Sequence, residues 1–289
     1  MKARLLFVHA LSPLHAGTGQ GVGVIDLPVA REKATALPFL PGSSVKGTLR
    51  DSCADEDKRT RVFGPDTRNA SEYAGSVQFT DQRLLLLPVR SLMGTFAWVT
   101  SPYVLRRFAR DAREVGLQGL PASVPAPSKE GNCLISGDRC AIKFEGDSIY
   151  LEDLDLTAEL VKPDDAASQW ARLLASLIFP GDDEWQSMLI ERFCIVHDDI
   201  FSFLLTTATE LTARVRLQED AKTVAKGALW YEEALPAETL LYGLVVATPI
   251  RANDEQEVLD LIEELASRTL QFGGKATVGR GLCRIQLAG

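Results

Sequence analysis

Histidine and cysteine are scarce in this chain of 289 residues, which holds three of the first and five of the second. Cys53, Cys133, Cys140, Cys194 and Cys283 never stand at CxxC spacing, which argues against a structural zinc site. Their odd number and scatter fit a reduced compartment rather than a disulfide framework. No leader-peptide pattern opens the chain and no apolar run could span a bilayer. A soluble, cytoplasmic protein with no membrane partner is therefore expected. Tandem repeats are missing, and so is an excess of positive charge: the formal net charge is −8. Taken as a total, that speaks against a nucleic-acid binder.

Nucleotide-loop fingerprints are also lacking. "GTGQGVG" would need glycine at position 22 or 24 to read as G-x-G-x-x-G, and Val22 and Val24 stand there. "GGKA" has neither the upstream glycine nor the hydroxyl residue of a P-loop. Neither an NTPase nor a dehydrogenase is supported.

What is present is local. In "SPLHAGTGQGVGVIDLPVARE", Gly17, Gly19, Gly21 and Gly23 lead to one acid, Asp26, and then to Arg31. Leu27 to Arg50 carries four cations against Glu32 alone, and Leu270 to Gly289 carries three and no acid. Both segments are rich in glycine, which lets backbone N–H groups approach a phosphate. In the second, Gly273, Gly274, Lys275, Thr277, Gly279 and Arg280 are the candidate contacts to a phosphate or ribose. "PGSSVKGTLRDSC" opens a helix that Ser43 or Ser44 can cap, with Val45, Leu49 and Cys53 on one side. Lys46 in its first turn opposes the helix dipole unless an anion lies there, and Arg50 follows one turn later. The alternative is a capped surface helix with solvated cations.

The remaining elements follow from periodicity. Ala3–Ser12 reads as a buried first strand containing His9, a core histidine. Ser76–Val89 is strand-like, Pro102–Ala112 a short helix, Gly116–Gly131 a mobile loop, and Asp165–Phe179 a helix. "HDDIF" at His197 reads as a helix start. "LTARVRL" sets Leu211, Ala213, Val215 and Leu217 on one face and Thr212, Arg214 and Arg216 on the other. It forms a hairpin with "VAKGALWYEE" through the turn "QEDAKT". Its arginines either face water or serve a functional arm. Trp230 and Tyr231 read as core aromatics. The last helix repeats at Val258, Leu261, Ile262, Leu265 and Ala266, with a capping box from Asn253 to Gln256. This order suits an α+β, ferredoxin-like core with insertions.

"PLHAGTGQGVGVIDLPVARE", "LPFLPGSSVKGTLRD", "LWYEEALPAETL" and "FGGKATVGRGLCRI" together resemble the RAMP superfamily of CRISPR proteins. Within it they are similar to the repeated backbone subunits of type III-B (Cmr) RNA-guided effectors. The resemblance covers both ends and the 230s; no motif covers Arg90 to Pro180. It implies a single RAMP domain over 1–289, with an RRM-like palm, inserted fingers at about 90–180 and a β-hairpin thumb at about 207–232. It implies head-to-tail stacking with itself along a CRISPR guide RNA, other Cmr subunits as partners, and cutting of a complementary target RNA at regular intervals. It places the cutting aspartate, with Mg²⁺ or Mn²⁺, at Asp26, and a guide-contacting lysine at Lys46. By the same resemblance His15, Glu232 and Glu233 lie in or near the cleavage region.

The chemistry stands beside that resemblance. RNA carries its own nucleophile, the 2′-hydroxyl, and in-line alignment alone lowers the barrier. A carboxylate with an ordinary pKa is a poor base at neutral pH and a good ligand for a hard cation. His15 could act as a general acid or pack against the glycine loop. Two other functions remain open on the residues: a non-catalytic RNA-binding scaffold, and a metal-independent guide-processing ribonuclease acting alone.

Overall fold

The computed structural model describes residues 1–17, 19, 24–65, 73–137, 140–159, 165–217, 224–250 and 254–289. Gly21, Gly23, Asn253 and the "QEDAKT" turn lie outside the described residues. The fold is α+β. One large mixed sheet is built around β1 (Lys2–Ala10), which pairs antiparallel with both β12 (Leu240–Ala247) and β14 (Leu282–Ala288). Six consecutive residues of β1, Leu5 to Ala10, are buried, as expected of a central strand covered on both faces.

Beyond β12 the sheet continues through β4 (Gln82–Arg90), β5 (Phe96–Thr100) and β9 (Phe193–Val196), then β6 (Asn132–Ile135), β8 (Leu154–Ala158) and β7 (Ser148–Leu151). The motif-free middle of the chain thus extends the same sheet. On the far side of β1, β14 carries the two-residue β13 (Leu270–Gln271) at the sheet edge. Two short strands, β2 (Phe39–Leu40) and β3 (Val77–Phe79), join β4 and β12. Ser76–Val89 is therefore two strands, not one.

Helix α3 (Pro102–Glu114) packs on this core through Phe108, whose ring meets Phe7, Tyr242 and Trp170. Ser101 caps it and Pro102 opens it. Helices α1 (Gly42–Ser52) and α7 (Glu255–Ala266) pack against each other, α1 on β3 and α7 on β12 and β14. Val45, Leu49 and Cys53 are buried as their spacing predicts.

One cap differs from expectation. Neither Ser43 nor Ser44 caps α1: Pro41 is the cap residue, and the Asp81 carboxylate accepts the Gly42 N–H at 2.9 Å. The start of α1 is pressed onto strand ends, since a Cβ on Gly42 would sit 2.4 Å from the Phe79 carbonyl oxygen. That tertiary contact overrides the local serine signal. Asp254 caps α7, accepting the Gln256 N–H at 2.8 Å. His197 does stand at the start of α6 (Asp198–Thr207).

The segment expected to be a mobile loop lies against the body. Leu117, Leu120 and Val124 pack on the core, and Trp170 Nε1 donates to the Ser123 carbonyl. His9 is in the core, 4% exposed, with Nε2 at 2.6 Å from Glu238 and its ring edge-on to Phe179 and Trp185.

β10 (Glu210–Leu217) and β11 (Val224–Ala234) form a separate two-stranded antiparallel hairpin. Its two arginines part company: Arg216 faces water, and Arg214 turns inward. Leu211, Val215 and Leu229 are exposed, and so is Tyr231, which is not the core aromatic expected, while Arg214 is half-buried against Glu232.

Candidate functional site

Strand β11 is the spine on which the two glycine-rich segments meet. Leu27 bridges Glu232 in parallel, with the Leu27 N–H on the Tyr231 carbonyl and the Glu233 N–H on the Leu27 carbonyl. Asp26 stands at the head of this short ladder. Its Oδ2 accepts the Tyr231 N–H at 2.8 Å, and its side chain remains exposed. One carboxylate oxygen is thus spent on orientation, and the group faces solvent at the hairpin edge.

The adjacent acids Glu232 and Glu233 point to opposite faces of β11, as neighbours on a strand must. Glu233 is 2% exposed. Its Oε1 meets Arg31 Nη2 at 2.5 Å and its Oε2 accepts the Val29 N–H at 3.0 Å. Arg31 also donates to the carbonyls of Leu205 and Ala36. Glu233 is therefore a buried clamp on the segment that carries Asp26.

Glu232 does the same work on the other face. Its Oε1 accepts Lys275 Nζ and Trp230 Nε1, each at 2.8 Å, and Arg214 Nε lies 3.3 Å from Oε2. Burial pushes its carboxyl up, but the hydrogen bonds and charges of Lys275, Trp230 and Arg214 outweigh that and hold its pKa at about 2. Such a group stays ionised at neutral pH and is unsuited to proton transfer. Arg280 pairs with Glu210 at 2.8 Å and with the Thr212 hydroxyl at 3.2 Å. The C-terminal loop is thus latched to both hairpin strands.

The glycines make room for His15 more than they display bare amides. A Cβ on Gly17 would lie 2.6 Å from His15 Nε2, and one on Gly273 would lie 2.3 Å from the His15 carbonyl oxygen. The Gly274 N–H donates to that carbonyl, and those of Gly279 and Arg280 bond to Ala276 and Lys275 within the loop. His15 is buried, with Nδ1 2.6 Å from the Glu233 carbonyl. Since a carbonyl only accepts, Nδ1 carries the proton and Nε2 faces Gly17. Thr277 is exposed in a short 3-10 turn, Ala276–Val278, that follows Lys275.

The remaining candidates lie apart from this cluster. Ser43, exposed, and Ser44 and Lys46, half-buried, sit within the first five residues of α1, whose Thr48 hydroxyl donates to the Gln271 carbonyl just ahead of the C-terminal loop. Among the described residues Lys46 has no carboxylate partner. Arg50 donates instead to the Gly64 carbonyl, at the end of α2 (Glu56–Phe63). Arg216 is exposed on the hairpin. Sequence reasoning missed Glu210, Glu32 and Arg107, because their partners are remote in the chain. Only Trp230 had a local signal, sharing a strand face with Glu232.

No group of three or more His, Cys, Asp or Glu side chains that could hold a metal occurs among the described residues. From this chain Asp26 offers a single hard oxygen donor. That suffices only for an ion that takes its other ligands from water and RNA, a habit of Mg²⁺. No helix of the described residues is long and apolar enough to cross a membrane.

The RAMP superfamily model matches residues 7–284. The chain belongs to the RAMP superfamily. Its homology to Cmr4, the type III-B CRISPR effector subunit of that superfamily, is full-length. It is 34% identical to the CRISPR system Cmr endoribonuclease Cmr4 of Pyrococcus furiosus, over 99% of this chain and 96% of that protein. The crystal structure of oligomeric Cmr4 from the same organism superposes with a TM-score of 0.75 at 29% identity, covering 99% of this chain and 98% of that one. A subunit in the cryo-EM structure of the type III-B Cmr-beta complex bound to cognate target RNA gives the same TM-score, 0.75, at 21% identity over 99% of this chain and 97% of that one. That last likeness shows the fold alone.

Proposed function

We propose that this RAMP protein is a guide-RNA-binding backbone subunit of a type III-B effector and cuts complementary target RNA at regular intervals, with Asp26 at the cutting centre. The observation that carries this reading is the exposed Asp26 carboxylate, oriented by the Tyr231 N–H on the edge of a hairpin. In this reading β14, β1, β12 and β4 form the RRM-like palm, residues about 207–232 the thumb, and about 90–180 the inserted region. Copies stack head to tail along the guide, beside other Cmr subunits.

The chain's own residues bind and align. Lys46 and the C-terminal loop hold guide phosphates, and the hairpin parts the guide–target duplex so that one target nucleotide is splayed. Its 2′-hydroxyl is then brought in line with the next phosphorus, and alignment of that kind is worth several orders of magnitude in rate. A Mg²⁺ or Mn²⁺ ion at Asp26 would supply charge stabilisation on phosphate oxygens. Glu232 and Glu233 hold the scaffold, and His15 joins the two glycine loops. The products are a 2′,3′-cyclic phosphate and a 5′-hydroxyl.

The test is a reconstituted complex given labelled, guide-matched RNA with Mg²⁺ or Mn²⁺. An evenly spaced ladder is expected, and Asp26→Asn should erase it while guide and target binding persist. An unchanged ladder from Asp26→Asn would make the chain a scaffold whose partner does the cutting.

A further inference from the structure

We infer that Glu32 and Arg107 are positioning residues for Asp26, fixing from α3 the arm that presents its carboxylate at the hairpin edge. The inference rests on the cutting role proposed for Asp26 and adds the side chains that set its placement.

The arm runs from Asp26 to Glu32. The backbone ladder of Leu27 on β11 sets the register of the arm, and the direction in which the arm leaves that ladder is set at its downstream end. There, two neighbouring side chains pull in opposite directions. Arg31 reaches the hairpin through Glu233, and α6 through the Leu205 carbonyl. Glu32 reaches α3, where Arg107 grips both carboxylate oxygens, each at 2.7 Å.

This second grip is built to be directional. A two-pronged arginine–carboxylate pair fixes orientation as well as distance. The Arg107 guanidinium lies over the Tyr103 ring, 5.5 Å from its centroid, which limits its swing. The Thr35 hydroxyl donates to Glu32 Oε2 at 2.6 Å, and Arg83 stands 3.7 Å from Oε1. Arg83 is itself anchored on buried Asp111, which also accepts from the Tyr242 hydroxyl. Glu32 is thus the outer end of a charge network rooted in β4, β12 and α3. The Arg107 hydrogen bonds hold its carboxyl below the usual range against the opposing effect of burial.

Helix α3 does not need this pair to dock. Phe108, Val104 and Leu105 are fully or nearly fully buried and bind it to the sheet. What Arg107 adds is a hold on the arm. With the grip lost, Asp26 keeps its carboxylate and its neighbours but not its fixed distance from the cleavage phosphate.

The experiment uses the complete complex with Arg107→Met, Arg107→Lys and Glu32→Gln. Cutting at saturating target should fall about tenfold in Arg107→Met and Glu32→Gln, as expected for a misplacement of about an ångström or less. Arg107→Lys, which keeps the charge and loses the fork, should recover part of the rate. Target affinity should not change. Hydrogen exchange on the free chain gives a readout independent of cutting: the Leu27, Val29 and Ala30 amides should exchange faster in Arg107→Met, with β1 amides unchanged. Wild-type cutting together with wild-type protection of those three amides would overturn the inference. So would a loss of protection spread equally over β1, the mark of a merely structural pair. Cutting by Asp26→Asn would instead overturn the functional reading, and the exchange data would still decide whether Arg107 holds the arm.

Discussion

Lys275 Nζ lies 2.8 Å from Oε1 of Glu232, joining the C-terminal glycine loop to the hairpin across 43 residues of sequence. Lys275 holds a left-handed backbone, φ 69° and ψ 30°, which a side chain adopts at a cost of about 1 kcal/mol. The ion pair offsets that cost. The same carboxylate also collects Arg214 and Trp230, so three donors from three directions converge on one acid.

This relationship predicts a pH dependence. The Glu232 carboxyl is lowered from 4.5 to about 2 in the folded chain. A depressed carboxyl contributes stability above its unfolded pKa and loses that contribution as pH falls through the folded value. The loss should therefore run from about pH 4.5 down to about pH 2. In Glu232→Gln this acid-dependent part should vanish, and stability at pH 7 should drop by about 2 kcal/mol, the worth of hydrogen bonds to a charged group. Denaturant midpoints measured against pH check both.

Glu233 predicts a larger effect without a catalytic signature of its own. Glu233→Ala would leave Arg31 and the Val29 N–H without their carboxylate. Breaking a buried pair of this kind costs about 3 kcal/mol or more. Glu233→Gln keeps an acceptor for Val29 and should cost less. Thermal unfolding of the isolated chain ranks the two, and the reverse order would deny the clamp.

The glycines separate packing from backbone freedom. Gly281 and Gly279 share a φ of 77°, but a Cβ at Gly281 would sit 1.9 Å from the Phe272 carbonyl oxygen, while at Gly279 it meets open space. Gly279→Ala should cost about 1 kcal/mol for the left-handed backbone alone. Gly281→Ala must also displace main chain and should cost clearly more, or prevent folding. Equal stabilities in a urea titration would refute the close approach.

Much of this was legible before the structure. β1, α3, α7 and the hairpin announce themselves by apolar pattern, whereas Asp26 is singled out only by the family resemblance, since a lone loop acid carries no local signal of its own. What periodicity could not supply is pairing across distance. Nothing near Lys275 points to Glu232, and nothing near Glu32 points to Arg107. Ser43 and Ser44 carry a local capping signal that the contact of Gly42 with Phe79 overrides. Glycine permits the close approach that an amide cradle needs; which partner approaches, here His15, is set by tertiary packing.

The hairpin supplies the last prediction. Leu211, Leu229 and Val215 are each about half exposed, at 54%, 54% and 49%, and Tyr231 at 42%, on one face of an isolated pair of strands. An apolar face of this kind, rimmed by polar residues, marks an interaction surface. Replacing Leu229 with Ser removes no core contact, so the isolated chain should keep its stability within about 0.5 kcal/mol. On the proposed role of the hairpin, the same change in the assembled complex should weaken the parting of the duplex. The cutting ladder should then lose its even spacing or its intensity while Asp26 and its anchors stay intact. A Leu229→Ser chain that unfolds early would instead place this face in the core of the fold, and a sharp, full-strength ladder would leave it without a part in cutting.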